Sequence, residues 1–243
     1  MISSRQNPLI KRIKSLSDKK NRDRSGLFVV DGLKSVKEAI SCGFKVETLV
    51  FTEKGYSLFG KTELPFEIVT EDVFSVISEE KTPQGVLAVC EKKENAIKSP
   101  EGNCILLDDV KDPSNVGAII RTAAATDFTD VYLIGSADPF SSKCVRASMG
   151  GIFKVRIYSG KREEILSAID KPILIADMKG ENVFTADLKG EYCLAIGNEG
   201  HGVSEEVKKA GSVTVSIPMQ NRVESLNAAV SAGILMYALI KKS

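Results

Sequence analysis

The sequence contains one histidine, His201, and its five cysteines show no Cys-x-x-Cys spacing. A single histidine cannot build a multi-histidine metal site, and scattered cysteines argue against a zinc site. The usual Ser-His or Cys-His nucleophile pair is excluded unless His201 is the base. We therefore expect buried thiols in a reducing compartment and no bound metal.

Long apolar runs are also missing from the chain. No segment approaches the roughly 20 consecutive apolar residues that a membrane-spanning helix needs, and the N-terminus is polar and basic. The 243 residues are 43% hydrophobic and 27% charged, which is typical of a globular chain with one sizeable core or two small domains. We expect a cytoplasmic protein.

The chain has almost no net charge, because 33 Lys and Arg balance 32 Asp and Glu. The distribution is uneven: residues 1–24 carry eight basic and two acidic side chains, a net +6, so the remainder stands at −5. A basic leader on a mildly acidic body favours a polyanionic partner such as RNA, although a solvated surface helix has the same composition. The residues predicted to bind RNA are Arg5, Lys11, Arg12, Lys19, Lys20 and Arg22.

The first 95 residues alternate predicted strands and helices, as in a small α/β unit. Asn7 before Pro8 marks the start of a helix with an apolar stripe on one side and a basic face on the other. Strands are predicted at 27–30, 46–51, 66–69 and 86–90, and further helices at 32–41 and 71–77. Residues 96–103 are charged and lack periodicity, which indicates a linker.

From residue 104 the chain repeats strand, loop and helix, which predicts a parallel sheet with helices on both faces. The near-continuous apolar run at 104–107 is typical of a strand buried on both sides. Ligands bind beyond the carboxyl ends of such strands, so 197–202 and 217–221 are predicted to meet at a ligand site. The other predicted strands are 131–134, 173–176, 192–196 and 213–217, and the helices are 115–126, 142–149, 161–169, 203–208 and 225–240.

The glycine-rich loop Gly197-x-x-Gly200-x-Gly202 is neither the dinucleotide fingerprint nor a P-loop, which disfavours a conventional Rossmann nucleotide enzyme. Its glycines still allow backbone groups to contact a ligand directly. Residues 217–232 read as a strand end, a turn at Asn221 and a long apolar helix with Ser225 and Asn227 in its first turn. Taken alone, that stretch is more typical of an ordinary N-capped core helix than of a ligand site.

Residues 112–123, 194–204 and 217–232 together, in this order, resemble the three motifs of the SpoU/TrmH family of RNA ribose methyltransferases, within the SPOUT superfamily. The resemblance covers most of 104–240. Residues 3–11 and 26–32 are similar to the family's N-terminal RNA-binding domain, with Asp31 where glutamate is usual. The resemblance implies an α/β fold: a small RNA-binding domain at 1–95, a linker at 96–103, and a parallel-sheet SPOUT domain with a trefoil knot at 104–243.

The resemblance also implies S-adenosylmethionine as cofactor and a homodimer. Matched position by position, the cofactor residues are Gly197, Ile217, Met219 and Leu226, and the catalytic residues are Asn115, Arg121, Glu199, Ser225 and Asn227. Asn115 and Arg121 would complete the partner subunit's pocket. Arg121 is either a phosphate clamp or a general base, and Glu199 is either catalytic or structural. The resemblance assigns His201 no role.

The function implied is 2′-O-methylation of a ribose in structured RNA. Ribosomal RNA is favoured, because the N-terminal domain resembles that of rRNA-directed members. Two alternatives remain: a non-catalytic RNA-binding or ribosome-assembly protein, and a tRNA-directed methyltransferase.

Overall fold

The computed structural model describes residues 1–93, 95–220 and 225–240. Within these residues each half of the sequence forms its own sheet. The strands are β1 (Leu27–Asp31), β2 (Val46–Phe51), β3 (Phe66–Ile68), β4 (Val86–Glu91), β5 (Cys104–Asp108), β6 (Asp130–Ile134), β7 (Arg156–Ser159), β8 (Ile173–Asn182), β9 (Cys193–Gly197) and β10 (Gly211–Ser216). The helices are α1 (Pro8–Ser15), α2 (Lys19–Ser25), α3 (Leu33–Ser41), α4 (Glu53–Phe59), α5 (Glu71–Ile77), α6 (Pro113–Ala125), α7 (Ser142–Ser148), α8 (Arg162–Ala168), α9 (Glu205–Ala210) and α10 (Ala228–Ile240).

The N-terminal sheet has the order β1-β4-β2-β3, with β4 antiparallel to both neighbours and β3 parallel to β2. The predicted helix start is confirmed, because the Asn7 side chain accepts from the Leu9 backbone N–H at 2.9 Å. The basic segment, however, is two helices rather than one. Asp18 caps α2 through the Lys20 N–H at 2.9 Å, and Gly26 ends it in a left-handed conformation.

The C-terminal sheet is parallel throughout, as predicted, in the order β10-β8-β9-β5-β6-β7. Central β5 is buried along its whole length, in agreement with its apolar sequence. Asp108 at its end pairs with Gly197 of β9 and Ile134 of β6, so the carboxyl ends of these three strands lie level. This edge of the sheet positions the site.

Close helix packing fixes α6 over the sheet. A Cβ atom on Gly117 would lie 2.5 Å from the Cys144 carbonyl oxygen, and one on Gly151 would lie 2.8 Å from the Arg121 Cα. Only glycine permits backbones to approach this closely. The N-terminal end of α6 therefore has little freedom relative to α7.

The two halves share one apolar core. Phe28 packs on Phe140 with ring centroids 4.9 Å apart, and Phe44 packs on Phe153 at 5.1 Å. The predicted linker is also tied down, since the Tyr132 hydroxyl donates to the Lys98 carbonyl at 2.7 Å. The halves are thus joined by packing as well as by the chain.

The sequence patterns missed α4 and β7, which are seven and four residues long. The last helix begins three residues later than predicted, at Ala228.

The predicted knot depends on a path through residues 221–224, which lie outside the described residues, as does the predicted turn at Asn221. No helix among the described residues is long and apolar enough to cross a membrane.

Candidate active site

A cavity of about 340 Å³ lies beyond the carboxyl ends of β9 and β10. All four residues predicted to bind the cofactor line it: Gly197, Ile217, Met219 and Leu226. Glu199, Ser225 and His201 also line it. A cavity of this size, with apolar walls and a few polar groups, is typical of a small-molecule site.

The glycine loop forms a tight, anchored wall of this cavity. Asn198 and Gly202 exchange backbone hydrogen bonds of 3.0 and 2.9 Å, which turns the chain back on itself. A Cβ atom on Gly197 would lie 2.0 Å from the Gly202 carbonyl carbon, so this position accepts no side chain. The Asn198 side chain donates to the Asp109 carbonyl at 3.1 Å and ties the loop to the end of β5.

Three separate segments of the sequence meet in one hydrogen-bonded chain. The Asn115 amide donates to a Glu199 carboxylate oxygen at 2.5 Å, and the Asn227 amide donates to the Asn115 side-chain oxygen at 3.0 Å. Asn115 is only 9% exposed. A part-buried, mutually bonded network of this kind fixes side-chain positions.

Local structure explains why each residue is there. Asp112 caps α6 through the Ser114 N–H at 2.9 Å, and Pro113 starts the helix, which places Asn115 in the first turn. Asn227 caps α10, because its side-chain oxygen accepts from the Ala229 N–H at 2.9 Å. Asn227 therefore precedes the last helix instead of lying in its first turn.

Asn115 was expected to serve the partner subunit's pocket together with Arg121. In this chain, both ends of its side-chain amide are bonded, to Glu199 and Asn227. These bonds join Asn115 to the other two motifs of its own chain, and a contribution of Asn115 and Arg121 to a partner subunit's pocket stays a prediction.

Arg121 lies apart from this network. Six residues along α6 from Asn115, it projects about 120° around the helix, and its side chain is exposed. Within residues 1–93, 95–220 and 225–240, the guanidinium has no hydrogen-bond or ion-pair partner. Among those residues its five N–H donors are left without an acceptor.

Sequence patterns missed one wall of the cavity. Asp177, Met178 and Lys179 of β8 line it, because β8 continues to Asn182 instead of ending at residue 176. The only available signal was the polar run after the apolar start of this strand. Such a run predicts a loop as readily as a strand.

Asp108 at the end of β5 is a buried carboxylate with two hydrogen-bond donors. Arg162 donates to it at 3.0 Å, and the Ser204 N–H donates to it at 2.6 Å, which anchors the chain after the glycine loop. The contact with Asp108 raises the pKa of the Arg162 guanidinium.

Among the described residues, no cluster of three or more His, Cys, Asp or Glu side chains is placed to bind a metal.

The six residues predicted to bind RNA are not placed alike. Lys11 and Lys20 are exposed, and Arg5, Arg12 and Lys19 are exposed in ion pairs with Asp72, Glu47 and Asp23, respectively. Arg22 is only 3% exposed and pairs with Asp138 of the C-terminal half at 2.7 Å. It is therefore not presented on the exposed basic face where the sequence placed it.

Comparison with known proteins agrees with this geometry. The SpoU rRNA Methylase family matches residues 102–237, and the MRM3-like substrate binding domain matches residues 7–88. The chain is 32% identical to the 23S rRNA (guanosine(2553)-2′-O)-methyltransferase RlmP of Bacillus subtilis, over 98% of each chain.

Two solved structures are also similar. An AdoMet-bound rRNA methyltransferase from Sinorhizobium meliloti superposes with a TM-score of 0.89 at 31% identity, over 99% of this chain and 97% of the other. The SpoU methyltransferase AviRb from Streptomyces viridochromogenes, in complex with AdoMet, gives a TM-score of 0.86 at 25% identity, over 97% and 98%. On its sequence, fold and site, the chain belongs to the SpoU rRNA Methylase family.

Proposed function

We propose that this chain transfers a methyl group from S-adenosylmethionine to a ribose 2′-hydroxyl in ribosomal RNA. The observation that carries this proposal is the hydrogen-bonded chain Glu199–Asn115–Asn227, which joins three distant segments beside one cavity. The names of the similar proteins support the substrate class.

The cavity has the groups that S-adenosylmethionine requires. Ile217 and Leu226 supply apolar wall, the loop from Gly197 supplies exposed backbone, and Asp177 supplies a carboxylate for a cationic ligand. Gly197, Ile217, Met219 and Leu226 would hold the cofactor. When bound, it supplies an electrophilic methyl group on a sulfonium.

The chain itself must align the ribose, hold the RNA backbone and assist removal of one proton. We assign alignment to Asn115, Glu199 and Asn227, because each is held by another, and we place the Ser225 hydroxyl on the cavity wall beside them. Arg121 is assigned to phosphate. A guanidinium is not deprotonated in proteins, which argues against its use as a general base.

We further propose a homodimer formed through α6 and α10. Val230, Tyr237 and Phe184 are each at least half exposed and surround a groove that Thr122 and Gly233 also line. Exposed apolar surface of this kind marks an interaction site. Arg121 adjoins Thr122 on α6, so a partner on this face would receive its guanidinium.

The N-terminal half is proposed to recruit RNA through Lys11, Arg12, Lys19 and Lys20. We propose that the division at 1–95, 96–103 and 104–243 is one of function and not of separate packing, because the two halves share one apolar core.

The five cysteines are all free thiols, which supports a reducing, cytoplasmic setting.

We also propose the trefoil knot in the C-terminal half. An entirely parallel sheet and the return of α10 to pack against α6 and β9 support it. A crystal structure traced without interruption from residue 216 to residue 228 tests it directly.

A methyl-transfer assay with labelled S-adenosylmethionine tests the function. Deproteinised ribosomal RNA and total tRNA serve as separate substrates, and the modified nucleotide is then mapped. Label on a ribose 2′-oxygen of ribosomal RNA is the expected result. Label on tRNA alone would change the substrate, and RNA binding without transfer would favour a ribosome-assembly protein.

A further inference from the structure

A second cleft, of about 520 Å³, lies on the same edge of the C-terminal sheet as the proposed cofactor cavity. Its floor is the carboxyl end of β6 and β7, with Gly135 and Ser159, and its wall comes from the N-terminal half. We call it the inter-half cleft. No motif in the sequence pointed to it, because its walls are contributed by four separate segments.

Three lysines of the N-terminal half face this cleft: Lys19, Lys92 and Lys93. The Lys92 ammonium lies 5.5 Å from the ring centroid of Phe140, and that of Lys93 lies 4.3 Å from the ring of Phe44. Ammonium groups are compact charges that bind phosphate. Contact with an aromatic ring holds such a side chain without neutralising its charge.

The carboxylates of the inter-half cleft are already paired. Asp138 receives two hydrogen bonds from buried Arg22, at 2.9 and 2.7 Å. Asp23 lies between Lys19 at 2.5 Å and Lys92 at 2.8 Å, and these lysines hold its pKa at about 2. With Arg22 included, four cations face two carboxylates, so the cleft keeps a positive surplus.

The inter-half cleft and the cofactor cavity are neighbours along one edge. From β9 to β7 there are three strand steps, which at the usual spacing span about 14 Å. Lys111 lies between them, where its ammonium donates to the Gly135 carbonyl at 2.7 Å. Lys111 is also paired with Asp109 at 2.6 Å, so the positive surplus along this edge lies in the inter-half cleft itself.

We propose that the inter-half cleft binds the phosphodiester backbone of the substrate RNA, a few nucleotides from the ribose that is methylated. This inference rests on the proposed function. It differs from the expected basic face of α1, because its walls come from both halves. Their fixed packing then sets the distance between the bound backbone and the cofactor cavity.

Two pairs of variants test the cleft without relying on one fold-sensitive change. The double variant Lys19→Gln/Lys93→Gln removes two cleft charges, and Lys54→Gln/Lys61→Gln removes two exposed charges outside the cleft. Ser159→Glu adds a negative charge to the cleft at an exposed position, and Ser159→Gln is its neutral match.

Steady-state methylation of 23S rRNA transcribed in vitro is the readout, with the salt dependence of RNA binding measured alongside. The cleft double variant should raise KM for RNA about tenfold and flatten the salt slope by about 1.4, because each single-strand phosphate contact contributes roughly 0.7. KM for S-adenosylmethionine should stay unchanged. Ser159→Glu should act in the same direction, and the two control variants should match wild type.

An unchanged KM for RNA in both the double variant and Ser159→Glu would overturn the inference, as would equal effects in the controls. Failure of the proposed function looks different, since wild-type protein would then transfer no methyl group to any RNA.

Discussion

The two halves of the molecule use polar side chains differently. In the N-terminal half, ion pairs are mostly exposed, as in Arg5 with Asp72 and Arg12 with Glu47. In the C-terminal half, side chains more than 80 positions apart in sequence meet in a part-buried network around Asn115. The first arrangement leaves charge available to a polyanion, and the second holds groups at fixed positions.

Two arginines, Arg22 and Arg121, differ in burial in the opposite way to what their sequence surroundings predict. Arg22 belongs to the basic segment yet is buried against Asp138, and Arg121 belongs to the apolar C-terminal half yet is exposed. Residue type alone therefore does not separate a structural cation from a functional one. The tertiary surroundings of each side chain separate them.

Arg22→Ala should destabilise the protein most. It leaves Asp138 as an uncompensated buried charge between the halves, which costs about 3–5 kcal/mol. Arg12→Ala, which removes an exposed pair, should cost at most about 1 kcal/mol. Urea denaturation measures both, and equal losses would show that the buried pair contributes no more than a surface pair.

Arg121→Ala should lower kcat/KM for methyl transfer on the order of 100-fold, because the RNA would lose its alignment. Arg121→Lys should recover little, since an ammonium lacks the planar fork. Calorimetry should show unchanged binding of S-adenosylmethionine. Wild-type rates in Arg121→Ala would remove this residue from the site.

Mixing Arg121→Ala and Asn227→Ala chains sharpens the same prediction. If Arg121 acts in the partner's site, a mixed dimer has one site with both defects and one intact site. Some activity should return on mixing. No return of activity, with mixed dimers shown to form, would place Arg121 and Asn227 in the same subunit's site.

Asn227→Asp should separate two roles of one side chain. Aspartate still caps α10 but cannot donate to Asn115, so stability should hold while kcat falls about tenfold, the value of one hydrogen bond. Asn227→Ala should lose the same activity and about 1 kcal/mol of stability as well. Thermal unfolding and single-turnover kinetics distinguish them, and full activity in Asn227→Asp would show that the contact with Asn115 is dispensable.

Neutralising Lys11, Arg12 and Lys20 together should have the smallest effect. These exposed side chains offer at most three phosphate contacts, each worth roughly 0.7 in the salt slope. We expect a loss of RNA affinity at low salt that disappears at high salt. An unchanged slope in filter binding would show that these side chains of α1 and α2 are solvated and do not contact RNA.

Local sequence was sufficient wherever short-range physics decides the outcome. Asn7 before Pro8 predicted the helix start, and the apolar run at 104–107 predicted a strand buried on both faces; both are confirmed. Two elements were missed: α4 has a glycine, Gly55, inside its seven residues, and β7 has only two buried residues among four. Two boundaries near the site differ from the prediction: β8 ends later than expected, and α10 begins later.

By itself, the sequence predicted the parallel C-terminal sheet, the three motifs and two of the loops that line the cavity, but not its β8 wall. Periodicity and strand-end chemistry are encoded locally, and level strand ends then bring those loops together. Only tertiary structure decided that Asn115 bonds within its own chain, that Arg22 is buried and that a basic cleft lies between the halves. Each depends on contacts between residues distant in sequence, whose geometry no local pattern encodes.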